Sequence, residues 1–93
     1  MTVTARGCAK FGKLVILNLL VVFDNPPTAL TTVGTISNEY APRGLYYGSL
    51  CCYAGGSDGG VYGLLETDGT GAVKVSHTDG RKYCLGFLTY FMK

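Results

Sequence analysis

The sequence predicts an all-β fold, an antiparallel β-sandwich, and three observations carry that prediction. No stretch places its apolar residues at helical spacing. Short β-compatible runs recur at intervals of roughly ten residues, separated by turns such as Asp68-Gly69 and Asp79-Gly80. Two runs, residues 13–23 and 82–92, are apolar on both parities, as strands covered on both faces must be.

Residues 2–10 (TVTARGCAK) alternate polar and small apolar side chains and read as a first strand, an edge strand on which Arg6 and Lys10 deter unwanted pairing. Phe11-Gly12 is a short connection, so the next run is its antiparallel neighbour. That run, residues 13–23 (KLVILNLLVVF), is the central strand. Val15, Leu17, Leu19, Val21 and Phe23 share one parity, Leu14, Ile16, Leu20 and Val22 the other, and Asn18 interrupts. It falls well short of the ~20 residues that span a bilayer as a helix, and Asp24-Asn25-Pro26-Pro27 turns the chain directly afterwards.

Residues 29–36 are rich in threonine and β-branched side chains and form a third, shorter strand. Residues 37–43 are a loop, because Pro42 lacks an N–H and pushes Ala41 out of the helical region. Residues 44–54 form a strand with Tyr46, Leu50 and Cys52 on one face and Leu45, Tyr47, Cys51 and Tyr53 on the other. Gly48 within it marks a bulge or a close backbone approach. The loop 55–60 (GGSDGG) is followed by strands at 61–67 and 72–76, joined by Asp68-Gly69-Thr70-Gly71. After Thr78-Asp79-Gly80 the closing strand, 82–92, sets Tyr83, Leu85, Phe87, Thr89 and Phe91 on one face and Cys84, Gly86, Leu88, Tyr90 and Met92 on the other.

Ninety-three residues make one domain, 1–93, which buries roughly 60–65% of the surface its unfolded chain would expose and so has a thin margin of stability. Its 47% hydrophobic and 15% charged residues contrast with a typical charged fraction of about 25%, which predicts a homo-oligomer. The doubly apolar strands agree: one face lines the sandwich and the other packs against a symmetry mate. The eight basic residues are spread along the chain and the net charge is only +2, so there is no nucleic-acid footprint. Arg6, Lys10 and Lys13 before the apolar run imitate a signal peptide, but no small-residue cleavage site follows, and no signal peptide is expected.

Cys8, Cys51, Cys52 and Cys84 include no Cys-x-x-Cys, and the chain has one histidine, His77, so no metal site is expected. Adjacent strand residues face opposite ways, so Cys51 and Cys52 cannot share a bridge or a tetrahedral site. The four are read as free thiols of a protein made in a reducing compartment.

No catalytic set emerges. His77 with Asp79 is the only start on a triad, and its place at a hairpin is explained by turn chemistry. Asp24, Asp58, Asp68 and Asp79 occupy turn signals, and nothing sets Glu39 opposite Glu66 as glycosidase chemistry would require. The 55–60 loop lacks the Gly-Lys-Ser/Thr ending of a phosphate loop. The chain is therefore read as a non-enzyme without cofactor. Seven tyrosines and no tryptophan suit partly buried core or interface positions first, and sugar contacts second. Loops carry function on such scaffolds, so Tyr53, Asp58, Tyr62, His77, Asp79 and Arg81 are the candidate ligand contacts.

The succession VGTISNEYAPRG, YGSL, a glycine-rich loop, GLLETDGTGAVKVS and a terminal GFLTYFMK resembles the C-terminal head domains of tailed-phage tail-fibre, baseplate and receptor-binding proteins. The matching segments are Gly12-Lys13-Leu14-Val15, Val33 to Ile36, Tyr40 to Pro42, Leu65 to Gly69 and Thr89-Tyr90, in order over nearly the whole chain. The resemblance implies a jelly-roll-like β-sandwich that trimerises in a phage or prophage virion tail beside other tail or baseplate proteins. It implies binding to host cell-surface saccharide through loops or subunit clefts, and no enzyme, nucleic-acid partner or membrane insertion. A purely structural trimerisation and capping role is the alternative. Leu14, Ile16, Asn18, Leu20, Val22, Leu88, Tyr90 and Met92 are the residues expected at the trimer interface.

Overall fold

A computed structural model describes all residues, Met1–Lys93, as an all-β chain. Its strands are β1 (Thr2–Ala5), β2 (Ala9–Phe11), β3 (Leu14–Val22), β4 (Thr31–Thr35), β5 (Tyr46–Tyr53), β6 (Val61–Thr67), β7 (Ala72–Ser76) and β8 (Tyr83–Phe91), with a single 3-10 turn at Asn38–Tyr40. Every pairing is antiparallel, and the strands form one sheet in the order β1-β3-β8-β5-β6-β7-β4, with β2 also on β3. The sheet curls until it is nearly closed into a barrel. No helix is long and apolar enough to cross a membrane.

The central strand is where residue parity placed it, flanked by β8 on one side and by β1 and β2 on the other. The first strand is broken in two. Gly7 takes a φ of +64°, which kinks the chain at Arg6–Cys8. Across the kink Arg6 N–H still donates to the Asn18 carbonyl at 2.7 Å, while Asn18 N–H is left to the Cys8 sulfur at 3.5 Å. The interruption that Asn18 makes in the apolar run thus coincides with a gap in the ladder beside it.

Burial separates the two faces. Val15, Leu19, Val21, Leu50, Cys52, Leu65, Val75, Cys84, Leu88 and Tyr90 meet inside, all 8% exposed or less. On β8 the burial alternates cleanly, with Cys84, Gly86, Leu88 and Tyr90 in and Leu85, Phe87, Thr89 and Phe91 out. Gly48 has its reason in a close approach: a Cβ there would collide with the Phe87 carbonyl oxygen and sit 3.0 Å from the Leu88 Cα.

The parity of β8 corrects part of the expected interface. Leu88 and Tyr90 are 0% and 1% exposed within the single chain and cannot meet a neighbour, and Met92 turns its partly buried side chain onto the same core. The register explains the error. Leu14, Asn18 and Leu20 of β3 stand opposite Phe91, Phe87 and Leu85, so the other set of β8 shares their face.

Candidate functional site

Three connections converge at one end of the barrel: β3–β4, β5–β6 and β7–β8. Thr78, buried completely, donates its hydroxyl hydrogen to the Pro27 carbonyl at 3.2 Å, which ties the first of these connections to the last. Arg81 ties the second to the last through its Nε, 3.3 Å from Asp58 Oδ2.

Asp58 organises the glycine-rich loop. Its Oδ2 accepts the Ala54 N–H at 2.7 Å and its Oδ1 the Gly60 N–H at 3.1 Å. The Ala54 N–H, then the Arg81 guanidinium, then the Gly60 N–H hold its carboxyl down at about 2, against an ordinary value of 3.8. Arg81 in turn donates from Nη1 to the Asp79 carbonyl at 3.2 Å and to the Asp79 carboxylate. The Asp58 hydrogen bond, first among the causes, raises the Arg81 pKa further.

His77 and Asp79 are the only non-glycine residues with positive φ, at 60° and 51°. Such backbone costs roughly 1–3 kcal/mol each and gathers where the surroundings impose it. Here the buried Thr78 between them imposes it. Pro27, Thr28, His77, Thr78, Asp79 and Gly80 outline an open polar depression of about 470 Å³. His77 Nδ1 lies 2.8 Å from the hydroxyl of Ser76, a buried side chain. The Asp79 carboxylate is engaged by Arg81, not His77, so the pair does not assemble as a catalytic relay.

At the strand ends next to this cluster the outer face of the sheet carries an aromatic platform. Tyr53 and Tyr83 are partners across β5 and β8, and their rings stack at 5.3 Å with 22° between planes. Tyr62 is opposite Cys51 on β6, a diagonal neighbour of Tyr53 on that face, and is 87% exposed. Of the six candidate contacts, Asp58 and Asp79 are therefore both held by Arg81, Tyr53 precedes the Ala54 whose N–H Asp58 accepts, His77 lies two residues before Asp79, and Tyr62 is a diagonal neighbour of Tyr53 on the outer face. Tyr83 was not among the candidates, although it begins the outward parity of the closing strand.

That face continues as an apolar surface. Leu85, Phe87 and Phe91 are 44%, 48% and 45% exposed, beside Leu14, Ile16, Leu20 and Val22 of β3, with Asn18 exposed among them. Arg43 crosses the Phe91 ring at 5.1 Å. No three His, Cys, Asp or Glu side chains converge as metal ligands would. Comparison with protein-family models, with curated proteins and with solved structures finds no match.

Proposed function

We propose that the chain is a receptor-binding head of a phage or prophage tail component, a jelly-roll-like homotrimer that adsorbs to host cell-surface saccharide. The observation that carries this reading is the stacked Tyr53–Tyr83 pair at the strand ends that lead into the Asp58–Arg81–Asp79 cluster: Ala54, next to Tyr53, donates its N–H to Asp58, and Arg81 lies two residues before Tyr83. Sugars present apolar C–H faces ringed by hydroxyls, and a tyrosine platform beside fixed polar groups matches both. Arg81 Nη2 makes no protein hydrogen bond and remains a donor, as do the tyrosine hydroxyls of the platform.

The outer apolar surface supplies the trimer contact, with Leu85, Phe87 and Phe91 replacing Leu88, Tyr90 and Met92 beside Leu14, Ile16, Asn18, Leu20 and Val22. The strand order supports the jelly-roll likeness, because β4 follows β3 in sequence yet lies at the opposite end of the order. Binding of the trimer to purified host wall polysaccharide, lost in Tyr83→Ala and Arg81→Ala, tests the proposal. Binding to no wall preparation or glycan array would remove the saccharide reading. Adsorption of assembled particles unchanged by Tyr53→Ala and Arg81→Ala would favour the structural reading, a trimerising cap without ligand, for which the outer apolar surface alone suffices.

A further inference from the structure

The barrel is open along one seam. On one side run β1 and β2, whose only partner is β3, and on the other runs β4, whose only partner is β7. No backbone hydrogen bond joins β4 to β1, β2 or β3. Between these edges lies a cavity of about 500 Å³, within the range of roughly 300–1,000 Å³ typical of ligand sites. Its walls include Val3 and Ala5 of β1, Leu17 and Leu19 of β3, and Val33 of β4. Twelve of the fifteen lining residues are hydrophobic, and Lys10 is the only charged one.

Two features separate this seam from an ordinary apolar cleft. Both walls are strand edges, whose outward N–H and C=O groups lack sheet partners, and only an extended backbone satisfies two such edges at once. The edges are short, and β4 has a register break between Thr32 and Gly34, but they lack charged guards. Natural edge strands carry lysine, other charges or proline to repel pairing, yet neither Thr2–Ala5 nor Thr31–Thr35 contains any of them. Arg6 falls in the kink after β1, and Lys10 on β2 lines the cavity at one end only.

We propose that the seam is a strand-addition site: it takes an extended peptide segment of a partner protein with apolar residues at alternate positions, an acidic residue at the Lys10 end and no other charge. The alternate apolar side chains fill the cavity, the intervening ones face solvent, and the backbone completes the barrel. Lys10 has no acidic residue beside it in the lining, which fixes the polarity of the segment by charge.

The test uses the whole chain and a capped hexapeptide, acetyl-Asp-Thr-Val-Thr-Val-Thr-amide, followed by amide NMR. Saturable binding below about 1 mM is expected, with shifts and slowed exchange confined to residues 2–11 and 31–35. An analogue N-methylated at alternate residues, matched in apolar surface, should bind at least tenfold more weakly to the same unmodified protein. Lys10→Glu should weaken the peptide and strengthen one bearing Lys in place of Asp. Equal affinity for the N-methylated analogue would overturn strand addition, since the cavity would then recognise apolar bulk alone. Slow exchange of both edges in the peptide-free protein, dependent on its concentration, would also overturn it by showing the seam closed by a second copy.

Discussion

The Arg81 guanidinium on the β7–β8 turn lies 3.3 Å, Nε to Oδ2, from Asp58 in the β5–β6 loop. The same carboxylate receives the N–H groups of Ala54 and Gly60. One side chain therefore shapes the glycine-rich loop and fastens it to the neighbouring turn, which makes the platform end of the barrel sensitive to acid.

The sign follows from the depressed pKa. Asp58 sits at about 2 when folded, against 3.8 ordinarily, so its stabilising contribution is complete above that ordinary value and is lost as pH falls through about 2. The Ala54 and Gly60 amide resonances should titrate together with a midpoint near 2 while those of Leu50 and Leu88 stay fixed. In Asp58→Asn the loop should be loose at neutral pH and show no such step. A wild-type loop that titrates near 4 would mean that the carboxylate is free.

Cys52 and Cys84 are register partners on β5 and β8, both 0% exposed. Burial, then the contact with Cys52, pushes the Cys84 thiol up to about 12, and burial also raises Cys52. Cys8 is exposed and Cys51 half-buried on the outer face. A thiol reagent at pH 8 should therefore modify Cys8 quickly, Cys51 more slowly, and Cys52 and Cys84 only after denaturation, four in all. Two thiols in the denatured protein would mean a disulfide instead.

Adjacent residues of β8 should respond in opposite ways. Leu88 is fully buried, so Leu88→Ala should cost about 2–5 kcal/mol in unfolding free energy at any protein concentration. Phe87 is 48% exposed, so Phe87→Ala should change monomer stability by less than about 1 kcal/mol and instead shift sedimentation toward the monomer. Asn18 stands opposite Phe87, and Asn18→Val, which extends the apolar surface, should act on assembly in the same experiment. Unchanged sedimentation in both variants would remove this face as the subunit contact.

Strands were legible wherever turn chemistry and parity agreed. Val61–Thr67 and Ala72–Ser76 fall where Asp68-Gly69-Thr70-Gly71 puts them, and Gly48 announced its close approach. What parity leaves open is its sign: Leu85, Phe87 and Phe91 are as apolar as Leu88, Tyr90 and Met92, and only the register with β3 decides which set turns inward. Tyr83 belongs to that same undecided set, which is why the stack with Tyr53 was not foreseen. The kink at Gly7 and the open seam depend on which strands fail to pair, a property of the whole sheet that no local stretch encodes.

Thr67 ends β6 with its side chain 1% exposed and its Oγ1 without a hydrogen-bond partner. A buried hydroxyl in that state costs roughly 1–3 kcal/mol, and an apolar group of the same shape removes the cost. Thr67→Val should accordingly raise the unfolding free energy by about 1 kcal/mol. Thr67→Ser keeps the hydroxyl, deletes a buried methyl and should lower stability by about 1 kcal/mol. Equilibrium urea unfolding of the two variants separates packing from polarity, since the changes have opposite signs. If Thr67→Val proves less stable than the wild type, the hydroxyl has a partner, a bound water being the natural one, and the polar group is a support of the β6–β7 turn and not a burden on it.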